Sequence, residues 1–67
     1  MKFATVDAKY KKAGPLSNKE LAFLLSHYSD LLAKLEDFDS VVEYQLVLRD
    51  VRRHTEQLTS FVNARAT

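Results

Sequence analysis

The sequence contains no cysteine and no tryptophan, and it has a single glycine and a single proline. Without cysteine there are no disulfides, no thiol catalysis and no thiolate metal ligands, and this composition is typical of a reducing compartment. No uncharged apolar run approaches the ~18 residues that a membrane span needs, and the amino terminus lacks the apolar segment of a signal peptide. We therefore expect a cytoplasmic protein without membrane partners.

The chain has 67 residues, which allow one small domain over residues 1–67. Chains of this size bury only about 60% of the surface that the unfolded chain exposes, and they often gain stability from a second copy. Ten Lys and Arg side chains against nine Asp and Glu give a formal net charge of +1. This balance indicates neither a strong nucleic-acid polycation nor an acidic mimic of DNA.

The single glycine and proline are adjacent, as Gly14-Pro15, and they mark the end of a first helix. Glycine favours the left-handed residue that follows a helix, and proline does not continue one. The apolar residues before this pair recur at intervals of three and four, which predicts a short helix over residues 4–13. These residues are Phe3, Val6, Tyr10 and Ala13.

Two longer helices follow, and each begins with the S-x-x-E pattern of a capping box, at Ser17 and at Ser40. Apolar residues continue at helical spacing after both patterns, which predicts helices over residues 17–37 and 40–64. The short connection between them requires two antiparallel neighbours. We therefore expect an all-α fold, a hairpin of two long helices with a short amino-terminal helix that covers Phe61 and Val62.

Equal rise along the two long helices predicts which of their residues lie opposite each other. Tyr28 is expected near Leu48, and His27 near Asp50 as a hydrogen-bonded surface pair. The apolar faces of the hairpin are wider than one partner helix covers, so we expect a homodimer that forms a four-helix bundle. The predicted core or dimer-interface residues are Leu24, Leu25, Tyr28, Leu31, Leu32, Val47, Leu48 and Val51.

A second set of residues is predicted to face a partner, because its members lie off the main apolar stripe or carry clustered positive charge. Guanidinium groups suit phosphates and acidic protein surfaces. A solvated face with local ion pairs is the alternative: Arg52 and Arg53 reach Glu56, and Asp50 reaches His54. The predicted partner-facing residues are Phe23, Val42, Leu46, Arg49, Arg52 and Arg53.

Residues suited to catalysis are few. His27 and His54 are the only histidines, no E-x-x-H pattern occurs, and no phosphate-binding loop or nucleophile–base pattern is present. Acidic residues cluster near the expected turn, where open solvent leaves a carboxylate without a perturbed environment. We therefore expect no enzyme activity, no cofactor and no metal site.

The residues Leu16-Ser17, Glu20-Leu21-Ala22, Ser26 and Leu32-Ala33, with Leu35, resemble a segment of the Hha/YmoA family of small enterobacterial nucleoid-associated modulators. The resemblance covers less than a third of the chain, and the flanking residues depart from that family, so it does not indicate membership. The hairpin architecture is similar to small type III secretion co-chaperones and phage regulators, which implies a bacterial or phage-type protein.

Surplus apolar surface without a reactive constellation favours a small non-enzymatic module, a regulator, adaptor or co-chaperone that binds a protein partner through helical surface. The alternative is a nucleic-acid-binding or nucleoid-associated regulator that uses the arginines of the last helix.

Overall fold

The computed structural model describes residues 1–66, and this range contains three α-helices and no strand. They are α1 (Phe3–Lys11), α2 (Asn18–Glu36) and α3 (Val42–Ala66). Helices α2 and α3 pack closely along their length as an antiparallel hairpin, and α1 packs against α2. The predicted all-helical fold with a paired second and third helix is confirmed.

The start of α2 is set by the capping box that the sequence predicted. Ser17 Oγ accepts a hydrogen bond from the backbone N–H of Glu20 at 3.1 Å, and Glu20 Oε1 accepts one from the Ser17 N–H at 2.9 Å. Lys9 Nζ of α1 lies 3.1 Å from the same carboxylate. The Ser17 N–H, followed by the Lys9 ammonium, lowers the pKa of Glu20 below its usual range. This cluster joins the end of α1 to the start of α2.

The start of α3 differs from the predicted one. This helix begins at Val42, so Ser40 lies two positions before the first helical residue and does not serve as its N-cap. The chain instead turns through backbone hydrogen bonds from Phe38 N–H to the Leu35 carbonyl at 2.9 Å and from Val41 N–H to the Phe38 carbonyl at 3.0 Å. Because the chain from Phe38 to Val41 forms these turns, Ser40 is not in the extended conformation that an N-cap residue needs, and α3 begins two residues later than predicted.

The core is small, and all three helices contribute to it. Residues 1–66 bury eight apolar side chains, of which Leu24 and Leu58 have no exposed surface. Two of the eight belong to the nine-residue helix α1, so its docking is a large part of the stabilising burial. The eight are Val6, Tyr10, Leu21, Leu24, Tyr28, Leu48, Val51 and Leu58.

The two long helices meet further along α3 than equal rise from the turn predicted. The Tyr28 ring lies 5.6 Å from the ring of His54, and Arg65 donates a 3.0 Å hydrogen bond to Asn18. The turn between the two helices has five residues, which shifts their pairing. Helical side chains also lean toward the amino end of their own helix, so facing rings on antiparallel helices are displaced in opposite directions.

The predicted cover over Phe61 by α1 is also incomplete, because the Phe61 side chain is 41% exposed.

Helix α1 ends in a Schellman motif whose left-handed residue is Ala13, with φ of 59°, and not Gly14. Gly14 N–H donates to the Lys9 carbonyl at 2.9 Å, and Ala13 N–H donates to the Tyr10 carbonyl at 3.0 Å. Gly14 has a different role: a Cβ there would lie 3.1 Å from both Lys9 O and Lys9 Cγ, a tighter distance than most Cβ contacts. The adjacent Pro15 then prevents further helix.

This arrangement predicts that Ala13→Gly stabilises the protein. Glycine removes the steric cost of a left-handed alanine, which is about 1–2 kcal/mol, while it adds freedom to the unfolded chain. The expected net gain is about 0.5–1 kcal/mol, or roughly 2–8 °C in Tm for a domain of this size. Thermal unfolding followed by circular dichroism measures it.

The matched control is Ala8→Gly, the same replacement inside α1, which should lower stability by about 1 kcal/mol. Gly14→Ala should also destabilise the protein because of the contact with the Lys9 backbone. A Tm that falls in Ala13→Gly as it does in the control would contradict this assignment of the motif.

Candidate functional site

Four of the predicted partner-facing residues form one row on the solvent side of α3, and we call this row the outer stripe. Val42, Leu46, Arg49 and Arg53 are spaced by four, three and four residues, so they fall within a narrow sector of the helix surface. Val42 is 80% exposed and Leu46 is 75% exposed, the highest values among the large apolar side chains of residues 1–66. The outer stripe thus joins an apolar half to a cationic half.

The arginines are exposed, and their pairing differs in part from the prediction. Arg53 pairs with Asp50 at 3.3 Å, and Arg52 lies 4.0 Å from Glu36 of α2, so neither reaches Glu56. The predicted contact between Asp50 and His54 is confirmed at 3.7 Å. Within residues 1–66, Arg49 is exposed and forms no ion pair, and it lines a shallow concavity with Leu48 and Arg52.

The remaining predicted residues divide by burial. Leu24, Tyr28, Leu48 and Val51 are buried, Leu25 and Leu32 are partly buried, and Leu31 and Val47 are 41% and 47% exposed. Phe23 is partly buried against the core and lies beside His27 on the side of α2 that α1 approaches. Phe23 therefore does not join the outer stripe on α3.

A second apolar surface lies at the turn end of the hairpin, and we call it the turn groove. It consists of Leu31, Phe38, Tyr44 and Val47, which are 41–49% exposed. Leu31 and Phe38 are seven residues apart, Tyr44 and Val47 are three apart, and the rings of Phe38 and Tyr44 lie 5.5 Å apart. Leu31 also borders a concavity of about 210 Å³ shared with Phe3, the first residue of α1, so the turn groove lies next to the amino end of α1.

Phe38 and Tyr44 were not among the residues selected from the sequence. Both lie at the edges of the predicted helices, where apolar spacing assigns them to the core of the hairpin. The five-residue turn leaves them without a third helix above them, so they remain half exposed. The proximity of two aromatic residues to the acidic turn is the signal that would have identified them.

Polar contacts between the helices hold α1 in place. The Tyr28 hydroxyl donates to Asp7 of α1, and Tyr10 Oη of α1 donates to Gln57 Oε1 at 3.2 Å. Tyr10 Oη also lies 2.7 Å from His54 Nδ1. The tautomer of His54 decides which of these two groups donates in that contact. These groups connect α1 to both helices of the hairpin.

His27 does not pair with Asp50 as predicted. Its ring stacks on Phe3 with centroids 4.5 Å apart and an interplanar angle of 21°, and it also contacts Phe23 at 5.0 Å. The prediction failed because α1 passes over this side of α2 and brings Phe3 to His27 first. Asp50 is instead held by Arg53 and His54 on its own helix.

In the described part of the chain, no group of three His, Asp or Glu side chains has the arrangement of a metal site. A concavity of about 380 Å³ forms an open cleft between the linker after α1 and the last turns of α3. It is lined mainly by apolar groups, and its one charged residue, Arg65, is bonded to Asn18.

None of the helices in residues 1–66 combines the length and apolarity that a bilayer span requires. Comparison of the chain with protein-family models, curated proteins and solved structures found no match. The local resemblance of residues 16–35 to nucleoid-associated modulators is therefore not accompanied by a match over the whole chain, and function has to be inferred from the surfaces described above.

The contact between Tyr28 and Asp7 predicts an alkaline loss of stability. Burial, and then the hydrogen bond to the Asp7 carboxylate, raises the pKa of Tyr28 above its ordinary range. The folded chain therefore keeps this proton where the unfolded chain has lost it. The contribution of Tyr28 is complete below about pH 10 and is lost as the pH rises beyond that value.

Tyr28→Phe should cost about 1.5 kcal/mol at pH 7, the low end for a hydrogen bond to a charged group, because Lys11 still pairs with Asp7 at 3.1 Å. Its stability should then fall less steeply than that of the wild type between pH 9 and pH 11. Urea unfolding at several pH values measures both effects. Tyr44→Phe, at a half-exposed tyrosine, is the control and should retain the wild-type slope.

Proposed function

We propose that this protein is a small non-enzymatic interaction module, a regulator, adaptor or co-chaperone that binds a protein partner through its helical surface. The observation that carries the proposal is the outer stripe, where Val42 and Leu46 are 80% and 75% exposed one turn apart. Single exposed apolar side chains are ordinary, but adjoining ones beside arginines match the composition of protein interfaces.

The proposal includes a homodimer in which the outer stripes of two hairpins pack together as a four-helix bundle. Two antiparallel copies of α3 would cover Val42 and Leu46 of each chain. Stable interfaces bury about 800 Å² on each partner, more than these two side chains supply alone. We therefore expect a dimer of modest affinity that a protein partner with a matching apolar helix displaces.

Leu46→Asp tests the outer stripe. A carboxylate at the centre of an apolar contact should weaken self-association and partner binding about 30-fold or more, as for an interface hot spot. Because Leu46 is exposed, folding stability should change by no more than about 0.5 kcal/mol. Sedimentation velocity over a hundredfold dilution measures the association, and thermal unfolding measures the stability.

Ser60→Asp is the matched control, because Ser60 is an exposed residue on the same side of α3 and lies fourteen positions further along. It introduces the same charge and should leave association unchanged. If Leu46→Asp associates as the wild type does, the outer stripe is not the contact surface. If both substitutions weaken association equally, the effect is one of net charge.

The second candidate is a nucleic-acid-binding regulator, and the observation that favours it is the unpaired guanidinium of Arg49 beside exposed Arg52 and Arg53. Three exposed arginines on one helix, doubled in a dimer, would contact phosphates on neighbouring turns of a duplex. The nearly neutral chain makes this candidate weaker than protein binding, since affinity for nucleic acid depends largely on positive charge.

Replacing Arg49 and Arg53 together with Ala tests this candidate. If both contact phosphate, the slope of log affinity against log salt should fall by about 2 for each bound chain. Fluorescence anisotropy with a labelled duplex between 50 and 300 mM salt measures it. Arg65→Ala at the other end of α3 is the control and should leave the slope unchanged. No binding by the wild type at low salt would refute the nucleic-acid candidate.

A further inference from the structure

Charge is strongly separated along the hairpin, although the chain is almost neutral as a whole. Residues 30–50, which we call the turn half, hold six acidic and two basic side chains. The rest of the chain holds eight basic and three acidic side chains, so the two parts carry −4 and +5. Of the eight large apolar side chains that residues 1–66 expose, six also lie in the turn half.

The turn groove continues a depression that α1 fills elsewhere. Phe3, Val6 and Tyr10 of α1 pack against the core formed by α2 and α3. The amino end of α1 lies beside Tyr28 and His27, and the centre of the Phe3 ring is 5.8 Å from that of the Tyr28 ring. One turn further toward the end of the hairpin, Leu31 and Val47 lie half exposed, with no third helix above them.

The rim of the turn groove is acidic. Asp30 and Lys34 flank Leu31 on α2, and Glu43 and Asp50 lie one turn before and after Val47 on α3. Of these four, Asp50 is engaged by Arg53 and His54. Three more exposed carboxylates lie at the end of α2 and in the turn, on Glu36, Asp37 and Asp39. Glu36 lies 4.0 Å from Arg52, and the other two form no ion pair within residues 1–66.

Helix α1 shows which chemistry occupies this depression. It is itself amphipathic, with Phe3, Val6 and Tyr10 on the inner side at spacings of three and four. Residues 2–12 hold four lysines and one aspartate, so the segment is basic. Lys9 pairs with Glu20 at the start of α2, with Nζ 3.1 Å from the carboxylate. A basic amphipathic helix that pairs with a carboxylate of α2 is therefore already present at the end of the hairpin opposite the turn.

We propose that the turn groove binds a basic amphipathic helix of a partner protein, which lies end to end with α1. This inference goes beyond the proposed function, because it assigns a second binding surface, separate from the outer stripe, and the class of partner that this surface takes. A helix of nine residues, as long as α1, spans about 14 Å, so a partner helix of two to three turns matches α1 in length. The net charge of −4 on the turn half favours a basic helix over an acidic one.

The probe is a 14-residue helical peptide of leucine and lysine, with leucines at positions i, i+3, i+4 and i+7 and with blocked termini. A second peptide keeps the leucines and replaces every lysine with glutamate. Titration calorimetry at 50 and 300 mM salt, with the full chain, should show that the lysine peptide binds at least tenfold more tightly than the glutamate peptide. This preference should weaken at 300 mM salt.

Neutral substitutions locate the binding site without changing its charge. The double variant Leu31→Gln and Val47→Gln should lose at least tenfold in affinity for the lysine peptide. Phe61→Gln is the matched control, because Phe61 and Leu31 are both 41% exposed but lie in opposite halves of the hairpin. Glu43→Gln should weaken binding about two- to threefold, and Glu56→Gln, in the other half of α3, should not.

The outcomes separate the two proposals. Preferential binding of the glutamate peptide, or equal loss in Phe61→Gln, overturns the basic-helix assignment and leaves the interaction module intact. Wild-type affinity in Leu31→Gln/Val47→Gln, with binding lost in Leu46→Asp, moves the partner to the outer stripe and also overturns the turn groove. Binding of neither peptide, in a chain that stays monomeric at every dilution, overturns both proposals.

Discussion

The surfaces of this protein depend on how far α1 reaches along the hairpin. The nine-residue helix α1 is held in place by its own residues Phe3, Asp7 and Tyr10. They contact His27, Tyr28 and His54 of the hairpin, respectively. It covers one half of the depression between α2 and α3 and leaves the other half open. The extent of the core, the turn groove and the exposed aromatic residues at the turn all follow from that reach.

Much of the fold could be predicted because its signals are local. The capping box of Ser17 and Glu20 and the apolar spacing of the long helices depend on neighbouring residues only. The sequence placed the end of α1 near the correct residue pair, Gly14-Pro15, but it predicted the left-handed conformation at the wrong residue. Gly14 is needed for its close approach to Lys9, while Ala13 takes the left-handed conformation, and only the observed hydrogen bonds distinguish these two roles.

The candidate site was predictable to a smaller extent, because it depends on relations between helices. The sequence predicted Val42, Leu46, Arg49 and Arg53 among the partner-facing residues, and the structure shows that all four are exposed on α3. The environment of His27 could not be derived in this way, since it depends on where α1 crosses α2, and neither helix encodes that crossing by itself. The exposure of Phe38 and Tyr44 likewise depends on the absence of a covering helix at the turn.

The separation of charge also makes the protein an electric dipole along a molecule whose longest dimension is 36 Å. The two long helices contribute little to it, because antiparallel helix dipoles largely cancel. Salt screens the field of this dipole beyond the Debye length of about 8 Å, so a charged partner farther away interacts with the protein as with a nearly neutral particle. Inside that distance the field rotates the protein before contact, so that a cationic surface meets the turn and an anionic surface meets the end where α1 joins α2.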